Sequence, residues 1–170
     1  MVELKIAILT ASDKGSRGER EDRSAQVIKE LVAQIGGEVV AYDVVPDERE
    51  ILATKMKEYA DQISVDLILT SGGTGLSPRD VTPEATIDVV ERLVPGIAEA
   101  MRLTGLEKTP HAMLSRAVAG SRGKTLIINL PGSPRAVREN LETVLPAIPH
   151  ALEILQGRGG ECARPEENKH

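Results

Sequence analysis

The residues best suited to chemistry lie in a glycine-rich segment that is followed by an arginine and an aspartate. Residues 70–75 read TSGGTG, with three glycines and three hydroxyl side chains, and Arg79 and Asp80 come shortly after them. Glycine lets the main chain approach an anion and turn its N–H groups toward it. A guanidinium and a carboxylate at one rim suit a phosphate bound beside a hard metal ion. The segment therefore predicts a phosphate-binding site, with a glycine-rich turn and a solvated Asp80 as the alternative.

Two widespread phosphate-binding motifs do not fit this chain. The dinucleotide-binding pattern G-x-G-x-x-G would need glycine at position 78 and meets Pro78. A Walker pattern ending at residues 123–125 would need glycine at position 118 and meets Val118. The glycine-rich segment is therefore a candidate of another kind.

The neighbouring elements place this segment at the end of a strand. Residues 65–69 form a short apolar run with branched side chains, which is typical of a buried strand. Thr82 and Pro83 then suit the cap and the first position of a helix. In open α/β sheets, ligands bind where strands end. The segment is thus expected to lie at a ligand-binding edge.

A second carboxylate follows another predicted strand, residues 38–45. Asp47 opens a helix, and Glu50 stands three residues later, which is the spacing of a capping box. The apolar positions of this helix, which are expected to face inward, are Ile51, Leu52, Met56, Tyr59 and Ile63. Asp47 is therefore a helix cap, a metal or base carboxylate at the same rim as Asp80, or both.

Two further strand ends carry polar residues. Residues 4–10 predict a first, central strand, and the polar segment 11–23 after it, which holds Ser12 and Asp13, is long for a connection. Residues 124–130 predict a fourth strand. It ends in the sequence PGSPR, in which Ser133 suits the cap of the next helix. A second anion subsite and a capped helix with solvated arginines both fit this last turn.

One histidine, His111, is a possible catalytic residue. His111 lies in the segment 109–120, which shows no clear period and contains no carboxylate. A lone histidine without such a partner is more often a surface or packing residue than a catalytic one. We therefore expect no catalytic role for His111.

Apolar spacing predicts the remaining elements. Helices are expected over residues 27–35, 47–63, 83–92, 97–106 and 136–156, with the last interrupted near Pro146 and Pro149. Strands that alternate with helices predict a single three-layer α/β domain, with a mainly parallel central sheet flanked by helices. The domain is expected to cover residues 1–157, and the polar tail 158–170 is expected to be disordered.

Composition narrows the function. The chain has 170 residues, a formal net charge of −5, no Phe or Trp and two Tyr. The acidic balance argues against sequence-independent nucleic-acid binding, although not against a small phosphorylated ligand. A bound base would rest on aliphatic or main-chain surfaces. The lone Cys162 gives neither a disulfide nor a thiolate zinc site, and we expect neither a leader nor a membrane-spanning segment. We therefore expect a cytoplasmic protein without a membrane partner.

The pieces together resemble the molybdenum-cofactor biosynthesis proteins of the MogA/MoaB type. The resemblance covers most of the chain, and its longest piece is the block TSGGTGLSPRDVTPEA at residues 70–85. The other matching pieces are Ser12-Asp13, Asp22-Arg23-Ser24, Pro46-Asp47-Glu48, Leu114-Ser115-Arg116 and Leu130-Pro131-Gly132-Ser133-Pro134. The resemblance implies a molybdopterin-binding, Rossmann-like domain.

For MogA-like members, the resemblance also implies an adenylyltransferase. The phosphate of molybdopterin would attack the α-phosphorus of ATP, giving adenylylated molybdopterin and pyrophosphate with Mg²⁺. Asp47 and Asp80 would be the essential acidic pair and the metal ligands. The substrate-binding residues would be Ser12, Asp13, Ser71, Gly72, Gly73, Thr74, Gly75, Arg79, Ser115, Arg116, Pro131, Gly132 and Ser133.

Other functions within reach of the resemblance stay open. MoaB-like members share the motifs and include molybdopterin-binding proteins without an established catalytic role. Related nucleotide-pyrophosphatase-like domains share the fold, but residues 77–83 (SPRDVTP) point away from them. Family members form trimers or hexamers, so a homotrimer is expected. A hand-over of the product to the metal-insertion protein of the pathway is a further implied partnership.

Overall fold

Four of the predicted strands form the parallel part of a six-stranded sheet. A computed structural model describes residues 3–158. Its parallel strands are β1 (Leu4–Ala11), β2 (Gly37–Val45), β3 (Leu67–Ser71) and β6 (Thr125–Leu130). They lie in the order β2-β1-β3-β6, and each neighbouring pair is parallel. The apolar runs of β3 and β6 are fully buried, as expected for central strands covered on both faces.

Two short antiparallel strands complete the sheet, and the sequence did not predict them. β4 (Arg92–Leu93) and β5 (Ala119–Arg122) follow β6 in the order β6-β5-β4. β5 reads AGSR and lacks the branched and aromatic residues that are typical of strands. It exists because it pairs with β6, from Ala119 opposite Ile128 to Arg122 opposite Thr125. The sheet is therefore mainly, not wholly, parallel.

Helices cover both faces of the sheet, which confirms the three-layer prediction. The helices are α1 (Asp13–Ser16), α2 (Arg23–Ala33), α3 (Arg49–Lys57), α4 (Thr82–Val89), α5 (Pro95–Leu106), α6 (Pro134–Val144) and α7 (Ile148–Leu155). A π-helical turn, Glu58–Ile63, extends α3, and 3₁₀ turns cover Pro110–Leu114 and Leu145–Ala147. Residues of α2, α5, α6 and α7 pack in one core layer, and residues of α3 and α4 pack in the other.

Strand β1 shows how the sequence separates the two core layers. Ile6 and Ile8 pack with α2 and its neighbours, whereas Ala7 and Leu9 pack with α3 and α4. All four side chains are fully buried. Successive side chains of a strand point to opposite faces, so a continuous apolar run serves both layers.

The structure corrects two predicted helix caps and confirms a third. Glu48, not Asp47, is the N-cap of α3, because the Asp47 carboxylate is bound elsewhere. Thr82 is the first residue of α4 and not its cap: the N-cap position is Val81, and the hydroxyl of Thr82 accepts from no main-chain N–H. Ser133 does cap α6, accepting from the N–H of Ala136 across 3.3 Å.

Other predicted boundaries also shift. The helix expected to run to residue 92 ends at Val89, because the chain then enters β4. Ile51 and Ile63, which were expected to face inward, are 41% and 38% exposed. Of the predicted tail, Arg158 is described, while residues 159–170, including Cys162, lie outside the described residues.

Candidate active site

A cavity opens at the edge of the sheet where the four parallel strands end. Ala11 lies opposite Val45, and Ser71 lies opposite both Thr10 and Leu130, so the loops after these strands begin side by side. The cavity has a volume of about 750 Å³. The predicted site residues that line it are Ser12, Asp13, Asp47, Ser71, Gly72, Gly73, Asp80, Gly132 and Ser133. The fold therefore brings together predicted residues that are far apart in the chain.

Two glycines of the loop after β3 are required by its conformation. Gly72 and Gly73 have φ angles of +89° and +69°, a region that side chains rarely adopt. A Cβ atom on Gly72 would lie 2.5 Å from the carbonyl oxygen of Ala11. A Cβ atom on Gly73 would lie 2.3 Å from Oγ1 of Thr82. Only glycine lets this loop pass so close to β1 and to α4.

The N–H groups of the loop differ in their availability to an anion. The N–H of Gly72 donates to the carbonyl of Leu130 across 3.1 Å. Among the main-chain hydrogen bonds of residues 3–158, none uses the N–H of Gly73, Thr74 or Gly75. Of these three residues, Gly73 alone lines the cavity. The predicted phosphate cradle therefore centres on Gly73, and Thr74 and Gly75 support the loop from outside the cavity.

Asp47 and Asp13 hold each other at the cavity wall. The N–H of Asp13 donates to Oδ2 of Asp47, and the N–H of Asp47 donates to Oδ1 of Asp13, both across 3.0 Å. The carboxyl group predicted as a helix cap is thus used to join the ends of two adjacent strands. No hydrogen bond of the described residues occupies Oδ1 of Asp47, so that atom remains an available acceptor.

The two carboxyl groups have opposite electrostatic environments. Partial burial raises the pKa of Asp47, and the negative charges of Asp13 and Asp80 add to this effect. The side-chain hydrogen bonds from Arg79 lower the pKa of Asp13 to about 2. Asp13 is therefore ionised at neutral pH. A cation in the cavity would offset the negative charges that surround Asp47.

Asp80 is the second carboxylate with free coordination capacity. Its Oδ2 accepts from the N–H of Ser77 across 3.0 Å, and no hydrogen bond is formed at Oδ1. Within residues 3–158, no group of three or more His, Cys, Asp or Glu side chains is arranged to hold a metal. Mg²⁺ does not need such a group, because it is commonly held by one or two carboxylates together with substrate phosphates and water. Asp47 and Asp80 fit that requirement.

The guanidinium of Arg79 binds two carboxylates instead of facing the cavity. Its Nε and Nη2 bind the two oxygens of Asp13 at 3.0 and 2.9 Å, and Nη2 also lies 2.9 Å from Oε1 of Glu48. Arg79 does not line the cavity. Its Nε and Nη2 are engaged with two carboxylates, so neither nitrogen is available to a phosphate in the cavity.

Arg116 braces the glycine-rich loop from behind. Its main-chain N–H donates to Thr74, and its guanidinium donates to the carbonyl groups of Gly75 and Asp80, each across 2.7 Å, and to the carboxylate of Glu84. All of its partners belong to the loop and to the start of α4. Arg116 therefore fixes the loop that carries the site and does not line the cavity itself.

The turn after β6 forms another wall. Gly132 and Ser133 line the cavity, and the carbonyl of Gly132 accepts from the hydroxyl of Ser24 at 2.7 Å. Pro131 lies behind them, and its carbonyl accepts from the hydroxyl of Ser71 at 3.0 Å. The arginines of α6 pair with glutamates on the protein surface. The turn itself borders the cavity, while the adjacent arginines do not line it.

Two of the remaining candidates lie away from the cavity. The hydroxyl of Ser115 accepts from the N–H of Ala117 at 3.3 Å, within its own segment. His111 is exposed in the 3₁₀ turn Pro110–Leu114. Neither residue lines the cavity of the described chain.

The long loop after β1 supplies cavity residues that were not among the predicted site residues. Asp22 caps α2 by accepting from the N–H of Ala25, and its other oxygen accepts from the hydroxyls of Thr10 and Tyr42. Burial, and then the bond to Asp22, raises the pKa of Tyr42. The unusual length of this loop was the available signal, but length does not say which side chain turns inward.

The same loop supplies the cations of the cavity. Lys14 and Arg20 line it, and among residues 3–158 neither forms a salt bridge. Arg23 also lines it, although it lies 3.6 Å from Glu21. The cavity thus combines carboxylates on the strand ends with cations on the loop after β1.

The chain is similar to known proteins over most of its length. Residues 7–150 match the family model described as "Probable molybdopterin binding domain". The molybdopterin adenylyltransferase of Helicobacter pylori is 43% identical over 159 residues, which cover 92% of this chain and 90% of that protein. The molybdopterin adenylyltransferase of Escherichia coli is 35% identical over 174 residues, with coverage of 94% and 89%.

A solved structure is similar over nearly the whole fold. The crystal structure of the molybdopterin biosynthesis enzyme MoaB from Thermus thermophilus superposes with a TM-score of 0.86 at 56% sequence identity. The match covers 91% of this chain and 97% of the other.

Among residues 3–158, no helix combines the length and apolar character needed to cross a bilayer.

Proposed function

The chain belongs to the molybdopterin-binding domain family, and on that premise we propose that it is a molybdopterin adenylyltransferase of molybdenum cofactor biosynthesis. The observation that carries the proposal is the meeting of Asp47, Asp80 and Gly73 around one cavity. A reaction between two phosphates needs positive charge and hydrogen-bond donors. The free oxygens of the two carboxylates can hold a metal cation, and the unbonded N–H can donate to a phosphate. The identity of 35 to 43% with molybdopterin adenylyltransferases supports the same assignment.

The proposed reaction transfers AMP from ATP to the terminal phosphate of molybdopterin. An oxygen of that phosphate forms a bond to the α-phosphorus of ATP. The bond from the α-phosphorus to the bridging oxygen breaks, and pyrophosphate leaves with the electron pair. The attacking phosphate is already anionic at neutral pH, so no strong general base is needed. The exposed position of His111, outside the cavity, agrees with this requirement.

The protein must bring two anions into contact, and Lys14 and Arg20 are placed to offset their charge. The arginines first considered for this task are used elsewhere: Arg79 binds Asp13, and Arg116 braces the loop. Lys14 and Arg20 line the cavity without a salt bridge. Long, mobile cationic side chains at the mouth suit the triphosphate, which carries more charge than the pterin phosphate.

Asp47 and Asp80 would hold Mg²⁺ together with substrate oxygens. When bound, the ion would neutralise charge that develops on the phosphates during transfer. The carboxylates themselves keep their orientation through the N–H groups of Asp13 and Ser77. Both carboxylates therefore have one oxygen fixed to the main chain and one that forms no hydrogen bond with the described residues.

The rings of the substrates would rest on small apolar surfaces. Ala11, Val44 and Pro134 line the cavity, and the chain contains no Phe or Trp to stack on a ring. Recognition would then come from shape and from main-chain groups, as in the turn that contains Gly132.

The wider assignments are proposals that follow from the family. A homotrimer would cover exposed apolar side chains near the end of α5 and the following 3₁₀ turn. Leu103, Met113 and Leu114 are 69%, 62% and 49% exposed. A cytoplasmic location and a hand-over of the product to the metal-insertion protein of the pathway belong to the same proposal.

Pyrophosphate release from ATP and Mg²⁺, measured with and without purified molybdopterin, tests the proposed function. We expect release that depends on molybdopterin, an adenylate on the pterin product, and no release after chelation with EDTA. Molybdopterin binding without either product would instead identify a binding protein of the MoaB-like kind. Absence of molybdopterin binding would contradict both assignments.

A further inference from the structure

The hydroxyl of Thr82 is a buried polar group that the fold leaves without a partner. Thr82 is fully buried as the first residue of α4, and its N–H donates to the carbonyl of Gly73 across 3.1 Å. Its Oγ1 is one of three buried side-chain oxygens among residues 3–158 that form no hydrogen bond. Buried hydroxyls normally have a partner, so this one calls for a reason.

The next turn of the same helix shows how a purely structural hydroxyl is used. Thr86 is equally buried, donates to the carbonyl of Thr82 at 2.8 Å and accepts from the amide of Asn129 at 2.9 Å. Valine at position 82 would occupy similar space without burying an unpaired polar atom. Packing therefore explains the hydroxyl of Thr86 but not that of Thr82.

The surroundings of Gly73 show which group lies near the free hydroxyl. The point that a Cβ atom on Gly73 would occupy lies 2.3 Å from Oγ1 of Thr82 and 3.4 Å from Oδ1 of Asp47. The space that glycine leaves open is therefore bordered by an unused donor and an unused acceptor. A hydroxyl that donates to a carboxylate forms a charge-assisted hydrogen bond, which is stronger than a neutral one.

We propose that Thr82 is a positioning residue for Asp47, and that its hydroxyl donates to Oδ1 of this carboxylate when the cavity is occupied. The inference rests on the proposed function, in which Asp47 holds the metal. This hydrogen bond would fix the position of Oδ1 of Asp47. Removing a group that orients a metal-binding side chain typically lowers metal affinity or activity by about 10- to 100-fold.

The variants Thr82→Val and Thr82→Ser test the role of the hydroxyl. We expect Thr82→Val to lower kcat by about tenfold, with the KM for molybdopterin changed by less than about twofold. The melting temperature of the ligand-free protein should not fall, because the lost hydroxyl has no partner there. Thr82→Ser keeps the donor and should retain most of the wild-type kcat.

Thr86→Val is the matched control, one turn along the same helix. It removes a hydroxyl that is bonded on both sides, so it should lower the melting temperature and leave kcat near the wild-type value. An unchanged kcat in Thr82→Val would overturn the inference. So would a loss of melting temperature in Thr82→Val as large as that in Thr86→Val.

A binding measurement separates this inference from the proposed function. The Mg²⁺ concentration that gives half of the ATP-dependent rise in melting temperature needs no turnover to be measured. We expect Thr82→Val to need about tenfold more Mg²⁺ than the wild type. An equal requirement would overturn the inference alone. A wild type that binds ATP with Mg²⁺ but makes no adenylylated pterin would overturn the proposed function alone, and no binding by the wild type would overturn both.

Discussion

Asp13 and Asp47 bind each other's main chain, each N–H donating to the other's carboxylate across 3.0 Å. The two residues follow adjacent parallel strands, so the pair fixes the spacing of two loops at the cavity. It also explains why Asp47, which has the sequence position of a helix cap, is instead held at the cavity wall. One side chain of the pair carries a pKa below its ordinary value and the other a pKa above it.

Asp47→Asn and Asp80→Asn should each remove turnover while molybdopterin binding persists. Each substitution keeps the shape and the acceptor used by the N–H of Asp13 or Ser77, and removes the negative charge. We expect kcat to fall by roughly 100-fold or more, as for other groups that stabilise charge in a transition state. Pyrophosphate release and pterin binding are the measurements. Asp88→Asn is the control, since Asp88 pairs with Arg49 on the surface. Full activity in Asp80→Asn would contradict the proposed mechanism.

The contribution of Asp13 to stability should depend on pH. Because Arg79 lowers the pKa of Asp13 from 3.8 to about 2, the ionised carboxylate stabilises the folded state. This contribution is complete above the unfolded pKa and is lost as the pH falls through the interval from 3.8 to about 2. Melting temperatures of wild type and Asp13→Asn should therefore differ most near neutral pH and converge at acidic pH. A difference that stays constant with pH would show that the contact is not electrostatic.

Lys14 and Arg20 should affect the affinity for ATP more than that for molybdopterin. Exposed cations contribute modestly, so we expect each change to Gln to raise the KM for ATP by about two- to fivefold, with a larger effect together. Higher salt should reduce the difference because it screens exposed charge. Arg17→Gln is the matched control from the same loop, because Arg17 pairs with Glu19 and does not line the cavity. An effect confined to molybdopterin would reassign these cations to the pterin.

Gly73→Ala should damage both stability and activity. The residue has φ +69°, and its new Cβ would press on Oγ1 of Thr82, which is fully buried. Gly123→Ala is the control, because Gly123 also has a positive φ, +54°, but open space around it. The positive φ alone costs about 1–2 kcal/mol of folding free energy in either variant. Because only Gly73→Ala adds a steric contact, it should lose more stability than Gly123→Ala. Denaturant unfolding measures the free energy of unfolding of both variants. Equal losses would mean that the contact with Thr82 relaxes freely.

Arg116→Lys should lower activity through the loop that it braces. Lysine cannot reproduce the three-sided binding to Gly75, Asp80 and Glu84. Arg122→Lys is the control, since Arg122 likewise binds a carboxylate and a carbonyl, those of Asp61 and Val89, and none of these three residues lines the cavity. We expect comparable losses of stability, roughly 1–3 kcal/mol. Only Arg116→Lys should also reduce pyrophosphate release, and equal activity in both variants would contradict the bracing role.

The sequence predicts the parallel strands well because their apolar runs are nearly continuous. It misses β4 and β5, whose residues carry no pattern of their own and form strands because β5 pairs with β6 and β4 pairs with β5. It also misplaces two caps: the Asp47 carboxylate accepts from the N–H of the distant Asp13, and α4 begins one residue early, with Val81 as its N-cap. Local sequence patterns therefore predict the structure correctly where burial determines it. They predict it wrongly where a contact between distant segments determines it.

The candidate site shows the same division. Gly72, Gly73, Asp47 and Asp80 could be found from strand ends and motif resemblance. The roles of Arg79 and Arg116 could not, since a sequence shows that an arginine is near but not which carboxylate or carbonyl it binds. Asp22, Lys14 and Arg20 escaped the predicted site set because a polar loop contains many charged residues, and only the fold shows which of them line the cavity.

The bond between Tyr42 and Asp22 gives the protein an internal optical probe. The chain has no tryptophan and two tyrosines, and the other, Tyr59, is fully buried and bonded to Asp43. Tyr42 lies on edge strand β2, shares Asp22 with Thr10, and has the ammonium of Lys29 5.0 Å from its ring centre. Near-ultraviolet emission therefore comes from one ring in the core and one ring that is hydrogen-bonded to Asp22, a residue that lines the cavity. A change in emission when ligand is added would report on the cavity without any attached dye.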